Sequence, residues 1–192
     1  RAQVTYNYQT DQDGDTTVPA STPLPSSGKT SKTKGENSQI WAISDGTAGM
    51  RLQAIALGEA LIATDTANQT SLADIITQPS WWLRHFPRLV PFLPKTLLSF
   101  WLGSIATRLN KDKTAIIITC GRRMAGTSIA LNRLSKAHAA GTRTIHIQDP
   151  RLPPHDFDIS IVPQHDPARG PNVLTSRASL NRLDMPTITD AA

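Results

Sequence analysis

The chain of 192 residues holds one cysteine, Cys120. That excludes an internal disulfide framework and a Cys-rich zinc site, and it fits a reducing compartment. No apolar run approaches the roughly 18 residues of a transmembrane helix; the longest, Leu97 to Ala106, is interrupted by Ser99 and Ser104. Paired histidines at metal-binding spacing are missing, so no metal is expected. There is no Gly-x-Ser-x-Gly elbow and no base near Cys120 in sequence, which leaves nucleophilic catalysis without support. An initiating Met is missing as well: the chain opens at Arg1 and is expected to be a fragment.

Acidic charge is short in one region only. Lys and Arg number 20 against 15 Asp and Glu, a net charge of +5. In residues 1–38 four cations (Arg1, Lys29, Lys32, Lys34) balance four carboxylates (Asp11, Asp13, Asp15, Glu36), so the excess falls on the remaining 154 residues. A stretch of that length suits a single domain with a real core. The first 38 residues contain seven apolar side chains among a dozen Ser and Thr. Such a composition cannot offset its ordering entropy and is expected to be a disordered polar tail, with Val4, Tyr6 and Tyr8 its one strand-like alternation.

Order is expected from Gln39. Ile40-Trp41-Ala42-Ile43 reads as a buried strand, stopped by Asp45-Gly46, and Met50 to Ala63 as a helix with Met50, Ala54, Leu57 and Leu61 on one face, widened by Ile55 and Ile62. A second such unit comes later in the chain: the strand Ala115 to Ile118, the turn Gly121-Arg122-Arg123, and a helix from Ala125 to Ala140 closed by Gly141. Further strands are predicted at Thr144 to Ile147 and Asp158 to Val162. Strands alternating with helices imply an α/β fold, a Rossmann-like parallel sheet with helices on both faces. In such sheets ligands sit at the carboxyl ends of the strands.

Three strand-end stretches therefore supply the candidate site. Asp45-Gly46-Thr47-Ala48-Gly49 offers free amides at a helix start that suit an anion; it lacks the third glycine of a dinucleotide fingerprint and the Lys of a phosphate-binding loop, so no cofactor is expected. Arg122 and Arg123 place two guanidiniums before a helix, where they suit phosphate or carboxylate; solvated or structurally paired arginines are the plain alternative. The third stretch runs from Asp149 and Arg151 through His165 and Asp166 to Arg169 and Asn172. His165 with Asp166 is the acid/base candidate, against a merely structural histidine.

Residues 79–103 differ from the rest. They hold Trp81, Trp82, Phe86, Phe92, Phe100 and Trp101, interleaved with Arg84, His85, Arg88 and Lys95. Such a segment suits a membrane surface or partner contact, through Trp81, Trp82, Arg84 and Arg88, or a lipid-linked acceptor; burial of the rings in the core is the alternative. Nucleic acid ranks lower, because the arginines cluster in strand-end loops and no reading module is present.

Taken in order, Ile40 to Gly49 with Gln53, Gly121-Arg122-Arg123, Gln148 to Arg151, Phe157-Asp158, Pro163 to Asp166 and Arg169 to Val173 resemble the mitochondrial fission Elm family over residues 39–183. The resemblance implies the amino-terminal domain of a GT-B-like, glycosyltransferase-like fold, with 184–192 starting an interdomain linker or a frayed end. It also implies a nucleotide-sugar or a phosphorylated, sugar-bearing acceptor as ligand, and little activity from this half alone. Its non-enzymatic counterpart is an adaptor for a membrane or a dynamin-related partner. The expected location is cytoplasmic and peripheral to a membrane, or the mitochondrial outer surface in a eukaryotic member. Gln164 stands where the family pattern suggests Glu, which leaves His165 and Asp166 as the candidates there.

Overall fold

A computed structural model describes residues 38–64, 70–111, 114–138 and 141–177. The expectations for residues 1–37 and 178–192, including the tail and the linker, lie outside the described residues. Six strands form one sheet: β1 (Gln39–Ser44), β2 (Ser71–Ile76), β3 (Thr114–Cys120), β4 (Arg143–Ile147), β5 (Ile159–Pro163) and β6 (Val173–Ser176). Their order is β2-β1-β3-β4-β5-β6, and every pair is parallel. The α/β, Rossmann-like reading is correct.

Parallel neighbours need crossovers, and crossovers are right-handed. The step from β1 to β2 goes one way across the sheet and the later steps go the other, so their helices must fall on opposite faces. They do. Helix α1 (Ala48–Thr64) covers one face, where Met50, Ala54, Ile55, Leu57, Leu61 and Ile62 pack with Ile40, Ala42 and Ile118. The face predicted from its helical spacing is the face it buries.

The other face carries α2 (Trp81–His85), a 3-10 stretch from Pro87 to Phe92, α3 (Lys95–Leu102), α4 (Ser104–Lys111) and α5 (Ala125–His138). Here Trp41, Ile43 and Ile117 meet Leu83, Val90, Leu98, Ile105, Ile129 and Leu134. The segment 79–103 thus divides its labour. Leu83, Val90, Leu98 and Leu102 are buried and Trp101 packs partly buried against them, whereas Trp81, Trp82, Phe86, Phe92 and Phe100 are exposed, so five of the six rings depart from the alternative of burial in the core. Arg133 of α5 holds the 3-10 stretch by donating from one guanidinium nitrogen to the carbonyls of Val90 and Leu93, each at 2.6 Å.

Two strands escape the sequence pattern. β2 reads Ser-Leu-Ala-Asp-Ile-Ile, with Asp74 interrupting the apolar run; Arg51 of α1 reaches across to form a close ion pair with that carboxylate. β6 is a four-residue edge strand, too short to announce itself.

Two substitutions probe this packing. A Cβ on Gly126, in the first turn of α5, would stand 2.1 Å from the carbonyl oxygen of Leu83. Gly126→Ala should therefore lower unfolding free energy by about 2 kcal/mol or more, read from urea denaturation, because α2 must move off the helix.

His146 on β4 is wholly buried, accepts or donates at Nδ1 with Thr119 Oγ1 at 2.9 Å, and leaves Nε2 without a partner among the described residues. Burial lowers its pKa from 6.5 to about 3. Between those values the unfolded chain binds a proton that the folded one does not. The stabilisation is complete above about pH 6.5 and is lost as pH falls toward 3, at up to about 1.4 kcal/mol per pH unit. Denaturation curves at pH 7 and pH 5 should show this slope in the parent chain and a flatter one in His146→Gln.

Candidate functional site

The direction in which strands are added across the sheet reverses at β1: β2 lies on one side of it and β3 on the other. At such a switch point the loops leaving the two strands diverge to opposite faces and open a crevice at the carboxyl edge. A cavity of about 580 Å³ occupies that position. Its wall takes Asp45 and Thr47 from the loop after β1, Gly121, Arg122 and Arg123 after β3, Gln148 and Asp149 after β4, and Pro163 at the end of β5 with His165 and Asp166 beyond it.

Each loop has a local reason for its shape. Gly46 and Gly121 both sit at φ +87°, which side chains rarely adopt, so each strand turns sharply into the helical segment beyond it. Asp45 accepts the Thr47 amide at 3.0 Å and its own carbonyl accepts from Gln78 at 3.2 Å, which fixes the first loop. Arg123 lies 3.7 Å from the Asp45 carboxylate across the crevice. Burial of Asp45 works to raise its pKa, but the Thr47 hydrogen bonds and the Arg123 charge outweigh it, and the carboxyl stays below its usual range.

The loop after β4 is strained. Among the described residues Gln148 at φ +77° and Arg151 at φ +54° are the positive-φ residues other than glycine. Conformations of this kind cost about 1–3 kcal/mol each and persist where neighbours impose them. The Gln148 amide donates to Ile161 at 2.8 Å, and Asp149 accepts the Arg151 amide at 2.7 Å, so the loop is held from both sides.

The structure brings Asp45, Thr47, Arg122, Arg123, Asp149, His165 and Asp166 to one cavity. An adjoining hollow of about 450 Å³ shares Arg122, Asp149 and Asp166 and adds Arg151 and Arg169. Gly46 shapes the first loop. Gly49 stands in the first turn of α1 with open space beside it.

Asn172 serves the scaffold instead. Its amide donates to the carbonyls of Pro154 at 2.6 Å and Phe157 at 2.8 Å, tying the loop before β6 to the loop before β5. Arg169 curls back onto the carbonyls of Gln164, Asp166 and Ala168, stiffening the rim. His165 and Asp166 stand 3.9 Å apart with the imidazole 83 % exposed, beyond hydrogen-bond range. Trp81, Trp82, Arg84 and Arg88 lie outside the cavity wall, exposed on the face covered by α2 to α5.

Five lining residues, Met50, Cys120, Gly121, Gln148 and Pro163, are not among the ligand contacts expected from sequence. Gln148 directly follows the end of β4, and that position is the signal that could have found it. The sequence marks Met50 only as a packing residue of α1, and its sulfur sits 3.5 Å from Cys120 Sγ. Among the described residues no three His, Cys, Asp or Glu side chains gather as metal ligands, and no helix is long and apolar enough to cross a membrane.

The family model described as mitochondrial fission ELM1 matches residues 48–192. The chain belongs to the mitochondrial fission ELM1 family. No curated protein and no solved structure matched it. The matched span starts with α1 and contains Arg122, Arg123, Gln148, Asp149, His165 and Asp166, so this family member carries most of its cleft wall within the family region. Asp45, Gly46 and Thr47 precede the match.

Cys120 closes the floor of the cleft. Burial first, and the Asp45 charge second, push its thiol up to about 12. The folded protein should therefore resist iodoacetamide at pH 8 and react only after urea unfolding, as scored by mass; rapid alkylation of the native chain would contradict this placement.

Proposed function

We propose that the cleft binds the phosphate-bearing part of a sugar ligand, a nucleotide-sugar or a phosphorylated acceptor, as one domain of a GT-B-like protein. The observation that carries this reading is the convergence of Arg122 and Arg123, on the 3-10 turn that leads into α5, with the start of α1 on one crevice at the switch point. Neither helix has an acidic residue in its first turn to compete for an anion. Free amides at a helix start and a guanidinium fork both favour phosphate oxygens.

The chemistry open to this arrangement is electrostatic. Donors fixed before the ligand arrives stabilise charge without reorganising, which is where most catalytic free energy arises in such sites. Arg122 is exposed toward the cavity, while Arg123 is steadied by Asp45. His165 and Asp166 on the opposite rim take the acid/base role only if the ligand draws them together, since their present separation is 3.9 Å. In a GT-B-like protein a second domain holds most of the sugar donor, so this domain is expected to bind without turnover.

A second reading, a non-enzymatic adaptor for a membrane or a dynamin-related partner, draws on the exposure of Trp81 and Trp82. It keeps the fold and needs no chemistry at His165.

Titration calorimetry with UDP-N-acetylglucosamine, GDP-mannose and inorganic pyrophosphate tests the cleft. At least one should bind, and the paired change Arg122→Ala, Arg123→Ala should weaken it about tenfold or more, as expected for losing charge-assisted hydrogen bonds. Absence of heat with all three, or unchanged affinity in the variant, would sink the proposal.

A further inference from the structure

Six of the nine exposed large hydrophobic side chains among the described residues come from one segment: Trp81, Trp82, Phe86, Leu89, Phe92 and Phe100. Trp81, Trp82, Phe86 and Trp101 form a continuous cluster, with centroid separations from 5.0 to 6.1 Å. Despite this mutual packing, Trp81 and Trp82 remain 56 % and 50 % exposed and Phe92 reaches 84 %. Isolated apolar residues on a surface need no explanation, but a contiguous aromatic patch does.

The patch is not a frayed edge. Leu83, Val90, Leu98 and Leu102 anchor it in the core, and Arg133 pins the carbonyls of Val90 and Leu93. The segment is thus held firmly with its rings outward.

Its charge is one-signed. No Asp or Glu occurs from residue 75 to residue 110, whereas Arg84, Arg88 and Lys95 are exposed. None of these three forms an ion pair among the described residues. A hollow of about 780 Å³ lies between this segment and the loop after β4, lined by Arg88, Pro91, Phe92, Arg151 and Leu152, with Asp156 as its carboxylate. It shares Arg151 and Leu152 with the hollow that adjoins the cleft.

We propose that this face docks peripherally on an anionic phospholipid surface, the rings entering the interfacial layer and Arg84, Arg88 and Lys95 facing lipid phosphates. Aromatic rings and cations both favour that layer, and each cation near an anionic leaflet adds to binding. Protein interfaces also use Trp and Arg, but their buried centres shed charge. Here the cations alternate with the rings along short helical turns, and the segment that carries them holds no carboxylate of its own. With the face on the membrane, the trough that leads to the cleft opens at the bilayer. The proposal rests on the second reading above, for which it names an anionic lipid partner, and does not depend on the cleft reading.

Vesicle co-sedimentation tests it, using the full chain with phosphatidylcholine alone and with equal parts phosphatidylcholine and phosphatidylglycerol. The chain should sediment with the anionic vesicles only, with a blue shift of tryptophan emission. Arg84→Gln with Arg88→Gln should weaken partitioning about thirtyfold, and Phe92→Ser with Phe100→Ser, at exposed positions that leave the fold intact, should weaken it too. Failure to sediment with anionic vesicles would overturn the proposal, as would equal binding to both vesicle types or binding indifferent to both paired variants. Concentration-dependent self-association in ultracentrifugation, abolished by Phe92→Ser with Phe100→Ser, would also overturn it by making the face a protein interface.

Discussion

Right-handed crossing between parallel strands is the constraint on which the rest of this structure depends. Because the chain leaves β1 in one direction and returns past it to β3, α1 must lie on one face and α2 to α5 on the other. The loops after β1 and β3 are then pulled apart, and the gap between them is the cleft. Burial enforces the arrangement: Trp41 and Ile43 point to one face and Ile40 and Ala42 to the other, so a slip of β1 by one residue would exchange its two packing surfaces.

The same architecture sorts the positive charge, which the sequence total of +5 could not do. Arg51 is taken by Asp74 and Lys136 by Asp158 at 2.9 Å, while Arg133 and Arg169 spend their donors on backbone carbonyls. Those cations are structural. Asp158 shows what such pairing does: burial works to raise its pKa, yet Lys136 and the Thr144 hydrogen bonds prevail and keep it ionised, joining α5 to β4 and β5. Among the described residues the cations open to ligands include Arg122, Arg123 and Arg151 at the cleft and its adjoining hollow, and Arg84, Arg88 and Lys95 on the aromatic face. Net charge described a balance, whereas the fold decides which members of it are available.

Much of the fold was legible in the sequence, and the exceptions have physical causes. β1 and β3 are β-branched and apolar because both of their faces are buried, so their runs were plain. β2 hid behind Asp74, whose charge is neutralised from another element by Arg51, a long-range partner that no local pattern reveals. The cleft positions Asp45, Arg122 and Asp149 followed from the rule that ligands sit at strand ends. Asn172 and Arg169 follow a strand end in the same way, yet Asn172 hydrogen-bonds the loop before β5 and Arg169 the carbonyls of its own loop, which depends on how those loops fold. The aromatic segment was legible as unusual, but its division into buried aliphatics and exposed rings depended on which side of each short helical turn met α5.

Amide chemical-shift mapping during a pyrophosphate titration tests the central claim, that the crevice opened by the strand reversal at β1 is the ligand site, most directly. The predicted result is a set of perturbations confined to the loops after β1, β3, β4 and β5, with Gly46, Gly121 and Gln148 among the largest. Perturbations centred on the amino-terminal ends of the strands, or none above the spectral noise at millimolar ligand, would contradict it.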